Sequence, residues 1–262
     1  MDMDKNNKIN PDFQEKILQA AKFLSSSTHA VAFTGAGIST PSGIPDFRSP
    51  KSGLWESYNP FQVASIDAFN HHPRDFFNWI KPLAIQAGAS LPNAAHLCLA
   101  KLEKNGIIKA IITQNIDDLH QKAGSKKILE LHGNARTATC PHCLTKHNRD
   151  EYMHILTDSD DMPKCKTCNK IIKPDVVLFG EMLPQQIWAE AYAHCAKADV
   201  MLVVGSSLEV APANTLPEIC AQNNAHLIIN NLSATHLDRL ADILLPIDVT
   251  LALEGICHFL LE

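Results

Sequence analysis

Short apolar runs recur along the chain and predict buried β-strands. These runs cover residues 31–34, 107–113, 128–131, 200–204, 227–229 and 243–245. Between many of them, apolar residues at every third or fourth position predict amphipathic helices at residues 11–27, 94–104, 185–197 and 212–222. Continuous apolarity indicates strands covered on both faces, so the pattern predicts an α/β fold with a Rossmann-like, doubly wound parallel sheet.

Two stretches do not fit this alternation, and we interpret them as insertions that form a smaller domain over the crevice. Residues 49–85 are rich in proline, aromatic residues and histidine, which we interpret as a helical insertion. Residues 136–175 are polar and contain paired cysteines, which predicts a zinc-ribbon module. The large Rossmann-like domain then comprises residues 1–48, 86–135 and 176–262.

Composition excludes several classes of protein. The 262 residues are 45% apolar and 19% charged, which is typical of a folded globular chain. A net charge of -5 does not favour nucleic-acid binding, although it leaves a local basic patch open. Residues 1–10 lack the features of an export signal, and no apolar run is long enough to cross a bilayer. We therefore expect a cytoplasmic protein without membrane contact, and its oligomeric state stays open.

Several predicted strands end in glycine or a polar amide. Gly35 follows the first run, Gln114 and Asn115 follow the second, and Gly205 and Asn230 follow the fourth and fifth. In open parallel sheets the ligand crevice lies beyond these carboxyl ends. The strand ends therefore predict one shared binding site.

The segment at residues 33–39 places Gly35 and Gly37 where a strand is expected to turn into a helix. Without side chains there, backbone N–H groups and the helix dipole can approach a pyrophosphate. Thr40 stands where the usual dinucleotide fingerprint has a third glycine, so a plain tight turn is the alternative. We expect the turn-rich loop at residues 40–48 to cover a cofactor.

Amides and carboxylates follow the second predicted strand. Gln114, Asn115 and Asp117 are suited to hydrogen bonds with ribose hydroxyls and a carboxamide. The alternative is a helix N-cap formed by Asp117 or Asp118.

One of the thirteen histidines stands out by its position. His132 follows the apolar run at residues 128–131, so it lies at a strand end, where an imidazole can accept a hydroxyl proton at neutral pH. A structural role is the alternative, and we interpret most of the other histidines as surface or packing residues.

Four of the eight cysteines form two regularly spaced pairs. Cys140 and Cys143 make the first pair, Cys165 and Cys168 make the second, and 21 residues separate the two pairs. Two such pairs supply four thiolates to a tetrahedral structural zinc ion, and a redox or disulfide role is the alternative. The remaining cysteines, at positions 98, 195, 220 and 257, are predicted to be core residues.

Residues 171–181 combine β-forming residues with a glycine exit. This segment is either an ordinary strand or a strand edge that pairs with an extended peptide through main-chain hydrogen bonds.

These motifs, taken in order, make the chain resemble the sirtuin family over residues 33–230. The matching segments are Gly-Ala-Gly-Ile-Ser at 35–39, Gly-Ile-Pro-Asp-Phe-Arg at 43–48, Thr-Gln-Asn-Ile-Asp at 113–117, His-Gly at 132–133, both cysteine pairs, Lys-Pro-Asp-Val-Val at 173–177, Phe-Gly-Glu at 179–181 and Gly-Ser-Ser-Leu at 205–208. The loop after Arg48 and the opening at residues 37–42 resemble the bacterial and archaeal branch of the family.

The resemblance implies an NAD-dependent enzyme that removes acyl groups, above all acetyl, from lysines of protein or peptide substrates. Nicotinamide leaves as the acyl oxygen attacks the ribose, and His132 deprotonates the ribose hydroxyl that captures the acyl group. The products are free lysine, nicotinamide and O-acyl-ADP-ribose. The cysteine pairs hold one structural zinc ion.

The resemblance also implies a set of site residues. Asn115 and Asp117 join His132 in catalysis. The cofactor-binding residues are Gly35, Ala36, Gly37, Ser39, Asp46, Phe47, Arg48, Gln114, Asn115, Ile116, Asp117, Gly205, Ser206, Ser207 and Asn230. The residues that face the substrate are Val176, Val177, Leu178 and Phe179.

Substrate preference and alternative activities follow from the same resemblance. Family members that prefer succinyl-lysine carry Tyr and Arg where this chain has Ile80 and Leu83, so we expect a preference for neutral acyl groups. The alternatives are ADP-ribosyl transfer, NAD hydrolysis, or a non-enzymatic NAD-sensing role. A long spacer between the cysteine pairs predicts a longer loop in that module, and residues 246–248 depart from the family pattern.

Overall fold

The computed structural model describes residues 10–49, 53–159 and 161–261. Six parallel strands form the main sheet, in the order β3-β2-β1-β7-β8-β9. They are β1 (Ala30–Thr34), β2 (Ile108–Thr113), β3 (Ile128–Glu130), β7 (Val200–Val204), β8 (His226–Asn230) and β9 (Ile243–Leu245). All six predicted strands are present, with ends within one residue of the predicted positions. Most of the polar segment at residues 1–10 lies outside the described residues.

Helices cover both faces of this sheet. One core cluster joins Ala30 and Leu202 to helices α1 (Pro11–Ser26), α5 (Ala94–Lys104) and α10 (Val249–Leu261). The other cluster joins Val31, Phe33 and Val203 to helices α8 (Gln185–Lys197) and α9 (Thr215–Gln222). Successive residues of β1 thus pack on opposite faces, which explains why its sequence is continuously apolar. The predicted doubly wound α/β fold is confirmed.

The start of α9 differs from the prediction. The sequence pattern predicts a helix from residue 212, but the structure begins it at Thr215 and forms a turn at residues 211–214. A helix that began at 212 would place Pro217 beyond its first turn, where the missing N–H breaks a helical hydrogen bond. Starting at Thr215 keeps Pro217 within the first turn, where no such bond is lost.

The cysteine-bearing stretch forms a second, antiparallel sheet of order β5-β4-β6. Its strands are β4 (Gly133–Thr139), β5 (Lys146–Asn148) and β6 (Lys173–Val176). The long spacer between the cysteine pairs was predicted to be a longer loop. That prediction is wrong, because the spacer is not one long loop but contains β5 and helix α7 (Arg149–Asp158).

The other inserted stretch is helical, as predicted. It contains α2 (Pro60–Val63), α3 (Ile66–His71) and α4 (Pro73–Ala89), and the described residues also include a short helix α6 (Leu119–Lys122) after β2. A core cluster packs Phe76 and Trp79 against Val176 and Leu178, so the helical stretch contacts the second sheet. The predicted boundary at residue 85 falls inside α4, which continues to Ala89. None of the described helices is both long and apolar enough for a membrane span.

Candidate active site

The carboxyl ends of four parallel strands meet at one edge of the main sheet. The Gly35 N–H donates to Val204 O at 3.1 Å, and the Gly205 N–H donates to Asn230 O at 2.9 Å. The Gln114 N–H donates to Thr34 O at 3.0 Å. Backbone bonds therefore tie the ends of β1, β2, β7 and β8 together, and the predicted convergence on one crevice is confirmed.

The glycines of the first turn have a different immediate role from the predicted one. Gly205 has a φ of 61°, and a Cβ there would overlap the backbone of Gly37 and Ile38. The N–H groups of Gly35 and Gly37 donate to the carbonyls of Val204 and Gly205. Those two amides are therefore not available to a pyrophosphate, and the glycines serve close packing between two loops. The turn leads into a 3-10 helix (Ala36–Ser42) rather than an α-helix.

His132 directly precedes β4 and faces the second strand end. Its Nδ1 lies 3.0 Å from the carbonyl oxygen of Gln114, and because that oxygen only accepts, Nδ1 carries the proton. Burial lowers the pKa of His132, and the nearby charge of Arg48 lowers it further. The neutral imidazole thus keeps its lone pair on Nε2 at neutral pH. This is the state that a general base requires.

Asn115, Ser39 and Asp117 form a hydrogen-bonded chain beside the imidazole. Asn115 Nδ2 donates to Ser39 Oγ at 3.2 Å and to Gly35 O at 3.1 Å. Ser39 Oγ donates to Asp117 Oδ2 at 2.6 Å. Burial raises the pKa of Asp117. Asp117 Oδ1 also accepts the N–H of Leu119, the first residue of α6, at 2.9 Å, whereas Asp118 at the N-cap position makes no capping bond with its side chain.

Two buried histidines extend this chain into the core, and no sequence motif singles them out. His96 Nε2 lies 3.5 Å from Ser39 Oγ, and His120 Nε2 lies 2.9 Å from Thr34 Oγ1. Their rings meet edge to face with centroids 5.0 Å apart. Both lie at apolar helical positions, where a histidine is read as a packing residue. Burial lowers the pKa of His96 to about 4 and that of His120 to about 3.

These lowered pKa values predict that the folded state loses stability in acid. An unfolded histidine binds a proton below about pH 6.5, whereas His96 and His120 stay neutral in the fold until about pH 4 and 3. The unfolded state therefore binds more protons, and stability is lost as pH falls below 6.5, by about 1.4 kcal/mol per pH unit for each histidine. In urea unfolding from pH 6.5 to 5, the loss of stability per pH unit should be smaller in His120→Asn than in the wild type by about 1.4 kcal/mol. An unchanged slope, or the same reduction in the control His236→Asn at an exposed position, contradicts the prediction.

The loop predicted to cover a cofactor is held by its own side chains. Asp46 Oδ1 accepts the N–H groups of Arg48 and Ser49 at 2.9 and 2.6 Å. Phe47 stacks on Trp55 with ring centroids 5.0 Å apart. Arg48 Nε lies 3.0 Å from Glu209 Oε2, which links this loop to the segment after β7. Of the three residues of this loop that were predicted to bind the cofactor, Asp46 and Phe47 shape the loop, and Arg48 adds positive charge near His132.

The polar side chains at the ends of β7 and β8 are mostly engaged within the protein. Ser206 Oγ accepts from Gln114 Nε2 at 2.9 Å. Asn230 is fully buried, and its Nδ2 donates to the carbonyls of Leu245 and Ile247 at 2.8 and 2.9 Å. Its Oδ1 is buried without a partner among the described residues. Ser207 is partly exposed, and Ile116 packs with the helical stretch.

The segment predicted to face the substrate alternates in burial. Val176 and Leu178 are 3% and 5% exposed and belong to a core cluster, so their side chains are not available to a substrate. Val177 and Phe179 are partly exposed, and Phe179 packs against the outside of the same cluster. The Val177 N–H donates to His132 O at 2.8 Å, which ties this segment to the imidazole. Among the described residues β6 pairs only with β4 and lies at the edge of the second sheet, so the alternative of a strand edge that pairs with an extended peptide stays a prediction.

The four paired cysteines converge, as predicted. Their sulfur atoms all lie within 4.8 Å of one another. Cys140 Sγ lies 3.4 Å from Cys168 Sγ, and Cys143 Sγ lies 3.5 Å from Cys165 Sγ. A tetrahedral zinc ion with Zn–S bonds of about 2.3 Å places its sulfur ligands about 3.8 Å apart, so the donor set fits zinc. The eight cysteines, all among the described residues, form no disulfide, and Cys98, Cys195 and Cys220 are buried while Cys257 is partly buried.

Fold and site together define a Rossmann-like α/β protein with a neutral imidazole at its strand-end crevice and a four-cysteine module beside it. A family model described as the Sir2 family matches residues 35–212. The NAD-dependent protein deacetylase of Thermotoga maritima is 44% identical over 89% of this chain and 94% of its own length. The chain therefore belongs to the Sir2 family, the sirtuins.

Solved structures agree with this assignment. One that concerns the mechanism and regulation of Sir2 enzymes has a TM-score of 0.89 at 41% identity, over 94% of this chain and 98% of its own. A Sir2 protein with a p53 peptide and NAD+ has a TM-score of 0.84 at 43% identity, over 92% of this chain and 96% of its own.

Proposed function

We propose that the protein removes acyl groups, chiefly acetyl, from lysine side chains in a reaction that consumes NAD and yields nicotinamide and O-acyl-ADP-ribose. The observation that carries this proposal is His132, a partly buried imidazole at the carboxyl end of the sheet, whose pKa is lowered and whose Nδ1 proton is held by Gln114 O, so that the lone pair is on Nε2. The relative from Thermotoga maritima, an NAD-dependent protein deacetylase, is 44% identical to this protein over most of both chains, which supports the same reaction.

The crevice suits NAD by the chemistry of its polar groups. The amides of Gln114 and Asn115 and the hydroxyl of Ser39 lie at adjoining strand ends, where they can bond ribose hydroxyls and a carboxamide. When bound, NAD supplies the ribose carbon that loses nicotinamide and the ADP-ribose that receives the acyl group. Ala36, Asp46, Phe47 and Arg48 would close over it, and Gly205, Ser206, Ser207 and Asn230 would line its adenosine end.

His132 performs the proton transfer in this proposal. Nε2 accepts the proton of a ribose hydroxyl, and Nδ1 keeps its proton on the Gln114 carbonyl, which stabilises the charged imidazole as it forms. The chain of Asn115, Ser39 and Asp117 holds the amide in one orientation. Because Asp117 already accepts two hydrogen bonds, we assign it to orienting Ser39 and Asn115 rather than to proton transfer.

The acyl-lysine would enter between the two sheets, beside Val177 and Phe179. Phe179 lies 6.2 Å from Trp55 and 5.4 Å from Phe61, measured between ring centroids, so the approach to His132 is aromatic. An aromatic passage favours an uncharged aliphatic stem and excludes water from the reacting groups.

We further propose one structural zinc ion at the four cysteines and a cytoplasmic, reducing environment, in which none of the eight cysteines is oxidised to a disulfide. The smaller domain would consist of the helical and cysteine stretches, with the helical part extended to Ala89, where α4 ends.

Nicotinamide release tests the proposed function. The protein with NAD and an acetyl-lysine peptide should release nicotinamide well above the peptide-free control, and mass spectrometry should show a peptide that is lighter by one acetyl group. Equal release with and without peptide indicates an NAD hydrolase. A peptide that gains ADP-ribose indicates a transferase. Cofactor binding without any turnover indicates an NAD sensor, and each of these three results contradicts the proposal.

Acyl selectivity is expected to follow from the apolar passage. Ile80 is 7% exposed and packs with Leu83 in the aromatic cluster, so neither offers a cation to a distal carboxylate. Moving a carboxylate into such surroundings costs several kcal/mol, so succinyl-lysine should be turned over at least about a hundredfold more slowly than acetyl-lysine. Propionyl-lysine is the matched neutral control, within about tenfold of acetyl. Comparable kcat/KM for succinyl and acetyl peptides contradicts the assignment.

A further inference from the structure

A buried ion-pair cluster connects the cysteine module to the residue next to Asp117. The Asp118 side chain is 9% exposed and bonds two arginines of the second sheet module. Arg136, on β4, contacts Asp118 Oδ1, and Arg149, the first residue of α7, lies 3.1 Å from Asp118 Oδ2. Two guanidinium groups from one module thus hold a single carboxylate from the other.

Adjacent carboxylates here face two different parts of the fold. Asp118 has a φ of 64°, a left-handed conformation that is uncommon for a residue with a side chain. Asp117 bonds Ser39 Oγ and the Leu119 N–H, whereas Asp118 bonds Arg136 and Arg149. The backbone between them therefore fixes the Asp117 side chain relative to the cysteine module.

The same short segment is tied to the helical stretch as well. Lys122 Nζ donates to the carbonyl oxygens of Ala87, Gly88 and Ser90 at 3.0, 3.3 and 2.9 Å. These carbonyls lie at the end of α4, where a cation is electrostatically favoured. Residues 117–122 therefore contact both inserted stretches while they carry Asp117.

The arginine contacts exceed an ordinary surface ion pair. Arg136 also donates to both carboxylate oxygens of Glu130, and its Nη1 lies 2.8 Å from Glu130 Oε1. Glu130 accepts a further bond from Gln121 Nε2 at 2.7 Å, so the cluster balances two carboxylates against two guanidinium groups. Little of either carboxylate is exposed, with 9% for Asp118 and 15% for Glu130, so screening by solvent is weak.

We propose that Asp118 is a positioning residue that couples the cysteine module to the active site. Its bonds to Arg136 and Arg149 hold Asp117 against Ser39, and through Ser39 they fix the orientation of Asn115. This inference rests on the proposed function for its effect on turnover, but the contact itself does not depend on that function. The structural module thereby influences the reaction without contributing a group to it.

The test compares Asp118→Asn, Arg149→Gln and the double variant. Asparagine keeps the shape and tolerates the left-handed backbone, so Asp118→Asn removes the charge without adding strain. Arg149→Gln removes the contact between Arg149 and Asp118 by changing the arginine, whose side chain is 27% exposed. This variant tests the proposal even if Asp118→Asn does not fold. Lys127→Gln is the matched control, because its ion pair with Glu190 lies away from the cysteine module.

Each single variant should lower kcat for nicotinamide release by about ten- to a hundredfold, the scale of a small misplacement of reacting groups. The double variant should match Asp118→Asn, because the contact that Arg149→Gln removes is already weakened when Asp118 loses its charge. KM for the peptide should stay within about twofold, and zinc content should equal that of the wild type. Deuterium uptake at residues 117–122 should rise in all three variants and not in the control.

Three results overturn the inference: unchanged kcat and deuterium uptake, effects of the two single variants that add in the double variant, or a lower melting temperature with kcat intact. The last result identifies a purely structural ion pair. If the wild-type protein releases no nicotinamide with the acetyl peptide, the proposed function fails. Deuterium uptake at residues 117–122 then decides the coupling by itself.

Discussion

His132→Ala is expected to abolish acyl transfer, with kcat for deacylation lowered by about 10²- to 10⁴-fold, the usual contribution of a positioned general base. NAD binding should change little, because the only side-chain hydrogen bond lost is that to Gln114 O. The wild-type protein should also show an acid limb in kcat/KM, with a pKa below the ordinary histidine value of about 6.5, because burial lowers the pKa of His132. Turnover and NAD titration by calorimetry, measured on both proteins, check this.

The control for this experiment is His236→Ala, which removes an exposed histidine outside the crevice. It should retain wild-type kcat and the same acid limb. A His132→Ala variant with more than about a tenth of wild-type turnover contradicts the assignment of the base. An acid limb well above 6.5 contradicts the buried, neutral state of this imidazole.

Removal of the metal should unfold the cysteine module while the main sheet stays folded. Apparent zinc-binding free energies of about 10–16 kcal/mol match or exceed the whole stability of a typical domain, about 5–15 kcal/mol. The core of this module is small and includes Cys140 and Cys165 themselves, packed with Tyr152 and Ile172, so little else holds it. The expected result of chelation is loss of one zinc per chain, proteolytic cleavage within residues 136–175, and loss of turnover.

Matched cysteine variants separate this effect from general damage. Cys168→Ala should lose zinc and show the same cleavage in the absence of chelator. Cys257→Ala, in α10 on the far side of the main sheet, should keep one zinc per chain and resist cleavage. A zinc-free protein whose 136–175 segment resists protease contradicts the structural role of the ion.

The pattern of apolar runs predicted the main sheet, because strands buried on both faces leave a continuous apolar signal. β1 shows this directly, since Ala30 and Ala32 pack on one face while Val31 and Phe33 pack on the other. The start of α9 was mispredicted, because apolar periodicity does not register the missing N–H of Pro217.

The parts of the site that depend on motif spacing could be predicted from the sequence. The parts that depend on contacts between distant segments could not. The spacing of the cysteine pairs was enough to predict the sulfur cluster. Nothing local shows that Gly35 and Gly37 donate their N–H groups to Val204 and Gly205, because those partners lie far away along the chain. The burial of Val176 and Leu178 likewise depends on the helical stretch that packs against them.

His96 and His120 show the same limit. Each sits at an apolar helical position, which is the signature of a packing residue, and both are indeed packed in the core. Their connection to the site runs through Ser39 and Thr34, on a different part of the chain. Only the folded arrangement shows that these imidazoles lie next to Ser39 and Thr34.

The stoichiometry of a single reaction mixture tests the central claim most directly. Acetyl-lysine peptide, NAD and the wild-type protein should give deacetylated peptide, nicotinamide and O-acetyl-ADP-ribose in equal amounts, quantified by mass spectrometry. Equal amounts of the three products mean that every acyl group removed from lysine is transferred to the ribose of NAD, next to His132. Free ADP-ribose together with intact acetyl-lysine, or deacetylation that proceeds without NAD, would contradict the account.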